Sequence, residues 1–451
     1  MRPPAALLSL TLVAALAGCR TAVPDYERQA RDRLRATAQA YRPGGHAPEQ
    51  PALAAGSTAA DYLRFALLHH PEVEAAYADW RASVAAITPA RSQPDPRLTF
   101  QADLADTVMS VMPGFMADFM TPGKRAALGR EAAAGSALAY RDYVKAVLQT
   151  AAEFRHAWLE LAYVAQARQL HARAAAAVGE VIDVSNADYA TGRSLAGLEA
   201  QVRFQNIAAE HHAHHAALTD RLIAARIRFK SALGLPPSAP DPVWPAPTLA
   251  ATPLPDDNAL WQRVLAANPD LARLRSGVEL AVAHTAVAET ARTPDFGLGA
   301  MVDLKTSPVM WRPTASLSLP LWRDKIAATV SAAQARHEAA AARLDAAQLT
   351  LAAQLAQALY RVREADRMIA YYDRTALPNL DRVVATAEAA YQSGLSPAGA
   401  IPENHLQRVT LAIDRLALLF QRETAVTDLF LLTADIAPAD TPLLARAASE
   451  P

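Results

Sequence analysis

One cysteine, Cys19, is all that this chain of 451 residues contains, so no internal disulfide staples it and no cysteine cage for a metal exists. Glycine is scarce too, at 17 residues, and the many alanine-rich segments suit long helices. Neither sign of charge prevails: 44 lysines and arginines meet 45 aspartates and glutamates, for a formal net charge of −1. That leaves no basic footprint and excludes nucleic acid as an expected partner. Beyond the first residues no apolar run approaches the roughly 18 residues of a spanning helix. Catalytic signatures are missing as well: there is no nucleophile elbow, no Walker loop, no His-Glu-x-x-His and no Cys-x-x-Cys. The chain therefore reads as something other than an enzyme.

What it does have is a duplication. Pro71 pairs with Pro269, Pro94-Asp95 with Pro294-Asp295, Thr121-Pro122 with Leu319-Pro320 and Gly192 with Gly394, at offsets of 198, 200, 198 and 202 residues. A fixed long period means one unit used twice. Each unit reads as helix, strand, strand, very long helix, sharp turn and long helix. The first occupies 57–234 and the second 257–434, with a proline-rich linker at 235–256 and a tail at 435–451.

The N-terminus carries Arg2, an apolar stretch from Ala5 to Ala17 and the tetrad Leu16-Ala17-Gly18-Cys19. This is a signal-peptide pattern over 1–18, too short to span a bilayer. The tetrad resembles the lipobox of bacterial lipoproteins, which implies cleavage before Cys19, a lipid on that cysteine as the one expected covalent group, and an acylated segment over 19–56. Arg20 is not the aspartate that retains such proteins at the inner membrane, so an outer-membrane address is expected, with each buried methylene contributing about 0.8 kcal/mol to anchoring.

If the mature chain crosses a membrane, it must do so as strands. Leu98, Phe100, Ala102 and Leu104 alternate with Thr99, Gln101 and Asp103; Phe296, Leu298, Ala300, Val302 and Leu304 alternate with Gly297, Gly299, Met301 and Asp303. One face suits lipid and the other water. Strands are expected at about 97–106, 114–121, 296–305 and 313–321, with Pro113-Gly114 and Ser307-Pro308 as the turns. Four strands cannot close a membrane barrel, for which about eight is the minimum, and open edges are intolerable in hydrocarbon. Three copies would supply twelve. The alternative is a pair of soluble hairpins capping a helical rod.

After each hairpin comes a proline-poor segment, 123–190 and 325–392, interrupted only by Pro378, where a kink or break is expected. Some 65 helical residues would extend for roughly 100 Å. Val144, Val147, Ala151, Phe154, Trp158 and Leu161, and likewise Leu351, Leu355, Ala358, Val362, Ala365, Ile369 and Tyr372, follow coiled-coil spacing. The long helices end at Tyr189-Ala190-Thr191-Gly192-Arg193-Ser194-Leu195 and Tyr391-Gln392-Ser393-Gly394-Leu395-Ser396-Pro397, where glycine permits the left-handed turn and serine caps the returning helix.

The order of elements, the duplication, the Pro-Asp pairs, the Tyr-x-x-Gly tips and the lipobox together resemble the TolC-type outer-membrane efflux factor family, from about Ser57 to Thr433. Thr121-Pro122-Gly123-Lys124-Arg125 is similar to its lipoprotein branch, which serves tripartite pumps of the resistance-nodulation-division class for metal cations or drugs. The resemblance implies a mainly α fold with a small β part, in which duplicated helical hairpins form a periplasmic helical barrel and four short strands per chain enter a twelve-stranded barrel in a homotrimer. It implies a passive conduit working with an inner-membrane pump and a periplasmic adaptor. The alternative from a different class is a non-conducting, lipid-anchored periplasmic scaffold or metal-binding stalk.

Adaptor contact is expected at Tyr189, Gly192, Arg193, Ser194 and Leu195 and at Tyr391, Gly394, Leu395 and Ser396, residues that also simply make a helix turn. In the family, acids six and nine residues past the second tip glycine narrow the periplasmic mouth; here those positions are Ala400 and Glu403. Three copies of Glu403 would favour cations, although a glutamate starting a helix is also stabilised by the dipole alone. His211, His214 and His215 lie on one helical face with metal-ligand spacing, either a divalent-metal site or a hydrated surface.

Overall fold

The computed structural model describes residues 22–46, 52–54, 56–104, 108–190, 197–393 and 400–434. Cys19, the signal segment, the tail beyond 434 and the tip residues Gly192, Arg193, Ser194, Leu195, Gly394, Leu395 and Ser396 lie outside them. The elements are α1 (Asp25–Tyr41), α2 (Ala59–His69), α3 (Pro71–Ala90), β1 (Arg97–Leu104), β2 (Val108–Phe119), α4 (Pro122–Ala190), α5 (Gly197–Ala232), α6 (Asp257–Ala267), α7 (Pro269–Glu289), β3 (Phe296–Asp303), β4 (Met310–Leu317), α8 (Arg323–Tyr371), a π-helical segment (Tyr372–Ala376), α9 (Leu377–Gln392) and α10 (Ala400–Leu432). Element by element, α2 to α5 repeat as α6 to α10. No described helix is long and apolar enough to cross a membrane.

The matching corners show the same physics with different residues. Thr58 caps α2 in a reciprocal box with Asp61, and Asp256 caps α6 by accepting from the Ala259 amide at 3.0 Å. The next corner is His70 in the first repeat and Asn268 in the second. The buried Asn268 accepts from the Leu271 amide and donates through Nδ2 to the Leu432 carbonyl, tying the end of α10 to the start of α7. In the first repeat Gly234, at φ 75, presses so close to the His70 backbone that a Cβ would stand 2.9 Å from its Cα.

The chain divides into two compact units, 1–36 with 81–137 and 283–330, and 37–80 with 138–282 and 331–451. The first holds the sheet, in the order β1-β2-β3-β4, all antiparallel. The two hairpins, 200 residues apart in sequence, pair with each other through β2 and β3. The N-terminal segment contributes α1, which the sequence reading did not anticipate; Asp25 and Glu27 favour its first turn and no glycine or proline interrupts it before Pro43. Glu27 is fully buried, accepting from the Thr88 hydroxyl at 2.8 Å and pairing with Arg31 and Arg91.

The second unit is a set of packed helices. Val147, Ala151, Phe154 and Leu161 of α4, and Leu351, Leu355, Ala358, Val362 and Ala365 of α8, are buried, while Val144, Trp158, Ile369 and Tyr372 are half-buried. An aromatic nest of Tyr41, Tyr77, Trp80, Tyr140 and Tyr143 packs beside α4, with Trp80 stacked on Tyr143 at 5.6 Å between centroids. Burial there raises the Tyr143 hydroxyl and pushes Tyr41 up to about 12.

The strand boundaries differ from expectation. β2 begins at Val108, not at 114, and Pro113-Gly114 lies inside it, with Pro113 opposite Phe100. The ladder to β3 is continuous from Gly114, opposite Met301, and the Leu304 amide still donates to the Val111 carbonyl at 3.1 Å in the same register, so Pro113 falls between them opposite Val302, where its missing N–H interrupts the ladder. β4 runs Met310–Leu317, starting and ending three to four residues before the expected span. The linker 235–256 contains no helix or strand.

Candidate functional site

Register sorts the sheet into two unlike faces. The antiparallel ladders place Leu98, Phe115, Ala300 and Pro313 in one row, Ala117, Leu298 and Ala315 in the next, and Phe119, Phe296 and Leu317 in a third. All are apolar and on one face. Leu98 is 93% exposed and Phe100 71%, far from what an aqueous surface favours.

The opposite face carries Arg97, Gln101, Asp103, Ser110, Asp118, Asp303, Arg312, Thr314 and Ser316. Arg97 pairs with Asp118; Asp303 pairs with Arg312 at 3.3 Å; Asp103 accepts from the Ser110 hydroxyl at 2.9 Å. Paired charges on one face and bare leucines on the other give the sheet two sides of opposite polarity.

Glycines fix this arrangement. A Cβ on Gly299 would sit 2.5 Å from the Phe115 carbonyl oxygen, and one on Gly297 would sit 2.5 Å from the Ser316 hydroxyl oxygen. At the base of the sheet Lys124 pairs with Asp295, and Gln93 makes two bonds to the Met120 backbone, its amide donating to the carbonyl at 3.2 Å and its oxygen accepting from the amide at 2.8 Å.

At the other candidate region, Tyr189 and Tyr391 close their helices with exposed side chains, 66% and 50% accessible. Ala400 and Glu403 fall in the first turn of α10. Glu403 is half-exposed and faces a cation that sequence reasoning missed: Arg203 of α5, Nη2 to Oε1 3.8 Å. Arg203 also stacks over the Phe204 ring.

Between α10 and the helices before it runs a ladder of arginine–aspartate pairs, also missed. Arg408, Arg415 and Arg422 recur at steps of seven, with Asp381, Asp373 and Asp366 as partners at steps of eight and seven. The additional residue falls where the helix widens to π geometry at Tyr372–Ala376, immediately before Pro378. The break expected at Pro378 is thus a π turn that keeps the rungs in register.

Below that ladder the linker is clamped. The Thr252 amide and hydroxyl both donate to the buried Glu423 carboxylate, Arg422 donates to the Thr252 carbonyl at 3.0 Å and to Glu423 at 2.5 Å, and Arg155 donates to the Thr252 hydroxyl at 3.1 Å. Burial lowers the Arg155 guanidinium, with Glu423 opposing.

His211, His214 and His215, read as either a metal site or a hydrated surface, lie on α5 facing α4. His211 meets His171 of α4, Nδ1 to Nδ1 3.2 Å, one donating and the other accepting, and the His171 ring lies 5.0 Å from that of His214. His214 reaches towards Glu210 at 3.7 Å. Among the described residues no group of three or more His, Cys, Asp or Glu is placed to hold a metal ion. Burial, then the charges of His211, His214 and His215, hold His171 down at about 4, and burial lowers His211 as well.

Residues 260–428 match the family model described as outer membrane efflux protein. Among solved structures, the fold is that of VceC from Vibrio cholerae (18% identity, 83% of this chain and 95% of that one, TM-score 0.65). It is also that of the Neisseria gonorrhoeae MtrE outer membrane channel in its open state (17%, 85% and 90%, 0.68). CusC, a transmembrane channel, shares it too (13%, 86% and 96%, 0.66). The search of curated proteins gives no match.

Proposed function

We propose, for a chain whose residues 260–428 match the family model described as outer membrane efflux protein and whose fold is that of an outer membrane channel, that it is the outer-membrane conduit of a tripartite efflux system. One observation carries the proposal: a four-stranded sheet with an apolar face, a charged face, and no partner on the outer edge of β1 or β4 among the described residues. Hydrocarbon tolerates such a sheet only when its edges are closed by further strands. Three copies supply twelve strands, with the face of Asp103, Arg312 and Ser316 lining water. Cys19 carries lipid, and the exposed Tyr189 and Tyr391 ends, with the tip residues between, meet a periplasmic adaptor that couples the channel to an inner-membrane pump. Glu403 stands at the periplasmic mouth. Metal cations or drugs are the substrate classes this reading admits.

The test is electrical. Purified full-length protein should give discrete single-channel conductance in planar bilayers and run as a heat-sensitive trimer on gels. Deleting Leu98 to Thr121 should abolish membrane integration. Integration that persists through Cys19 alone, without conductance, would replace the conduit with an anchored stalk.

A further inference from the structure

The apolar face of β4 outlasts its ladder. After Leu317 the chain continues through Leu319 and Leu321, prolonging the alternation of Trp311, Pro313, Ala315 and Leu317. Trp311 stands at one end of this series and Leu321 at the other, 67% and 71% exposed; Trp322, 76% exposed, follows one residue later and out of phase with the series, where the Leu321 amide donates to the Leu319 carbonyl and the Arg323 amide to the Leu321 carbonyl, both at 2.9 Å. At about 3.3 Å per residue and a tilt near 45°, the ten steps from Trp311 to Leu321 rise at most roughly 23 Å, the turn that bonds the Leu321 amide to the Leu319 carbonyl shortening the last of them. That approaches the height of the hydrocarbon band in outer-membrane barrels, whose borders are marked by aromatic side chains.

Beyond Trp322, Arg323 and Lys325 are exposed, and neither makes an ion pair among the described residues. With Leu321, Trp322 and Asp324 they line an open groove of about 560 Å³. Two cations against one carboxylate leave it net positive. The first repeat matches it at one position only: Arg125 stands where Arg323 does, but Gly123, Lys124 and Ala127 replace Leu321, Trp322 and Lys325, and Lys124 is engaged by Asp295. The device belongs to one repeat only.

The geometry points to Leu321, Trp322, Arg323 and Lys325 as a binding surface for the headgroup of an anionic phospholipid at the helix-side border of the membrane. The indole offers an apolar ring with one N–H donor, the form that settles at headgroup level. The guanidinium and ammonium pair with phosphate, and Leu319 and Leu321 lie among the first acyl methylenes. This rests on the reading that the strands cross the membrane.

The test uses full-length protein in vesicles of phosphatidylcholine, alone or mixed in equal parts with phosphatidylglycerol, doped with lipid brominated near the headgroup. Subtracting the fluorescence quenching of Trp322→Phe or Trp311→Phe protein from that of the unaltered chain isolates each indole. Trp322 should be strongly quenched, and Trp322→Tyr should keep the surface functional. The double variant Arg323→Gln, Lys325→Gln should lower several-fold the enrichment of phosphatidylglycerol among lipids retained after mild detergent extraction. If Trp311 is quenched and Trp322 is not, a second copy of the chain covers the groove: the inference fails and the channel reading stands. If neither is quenched, the strands do not span and both fall. Unchanged enrichment in the double variant overturns the assignment of the cations to the headgroup.

Discussion

Glu423 accepts two hydrogen bonds from Thr252, from its amide at 3.0 Å and from its hydroxyl at 2.6 Å. The pair joins the linker to α10 across 171 residues of sequence. Because Glu423 is buried beside Arg422 and within 3.8 Å of Arg155, it balances two guanidinium groups. Glu423→Ala leaves those cations uncompensated and should cost about 3–5 kcal/mol. Thr252→Val, which removes only the hydroxyl, should cost about 1 kcal/mol. Denaturant unfolding in detergent measures both; equal losses would show that the carboxylate is no more than another hydrogen-bond acceptor.

Acid should loosen the contact between α4 and α5. His171, with an ordinary value of 6.5, titrates at about 4 in the fold, so between these values the unfolded chain binds more protons than the native one. Stability is therefore complete above about 6.5 and declines as pH falls towards 4. His211, His214 and His215 add to the repulsion, and Glu210 opposes it. His171→Asn should flatten the fall of Tm between pH 7 and pH 4.5; parallel curves for the two proteins would assign the acid sensitivity elsewhere.

Arg203 offsets the charge that Glu403 contributes. Arg203→Gln, by removing the cation 3.8 Å away, should shift the reversal potential under a salt gradient towards cations, and Glu403→Gln should shift it the opposite way. The pair is half-exposed, so the shift should shrink as ionic strength rises. Identical potentials in all three proteins would remove Glu403 from the conducting path.

Gly299→Val should cripple membrane insertion while leaving the helical unit folded. The added Cβ meets the Phe115 carbonyl oxygen at 2.5 Å, backbone that cannot move without parting β2 from β3. Overpacking of this kind costs about 1–3 kcal/mol. Far-ultraviolet circular dichroism should retain the helical signal while conductance is lost; normal conductance would mean the strands separate more easily than their register indicates.

Much of this was legible in the residues, because alternation, duplication and proline placement are local signals. Leu98 and Phe100 announce an apolar face, and Gly297 and Gly299 mark its reverse. Pro113-Gly114 misleads, since the dipeptide that usually turns a chain here sits inside β2, where it only interrupts the ladder to β3 between Val111 and Gly114. His171 and Arg203 escape notice because each meets its partner from another helix, tens or hundreds of residues away. The step of seven among Arg408, Arg415 and Arg422 is written in the sequence, but their partners cannot be matched without the π turn that supplies the odd residue.

That π turn also accounts for the difference between the two long helical runs. α4 holds 69 residues, and the run from Arg323 to Gln392 holds 70. One residue is about 100° of helix rotation, a misphasing that would turn every later side chain off its seam, and a single wide turn takes up such an excess. A lone inserted or deleted residue would need a compensating bulge before selection could keep it.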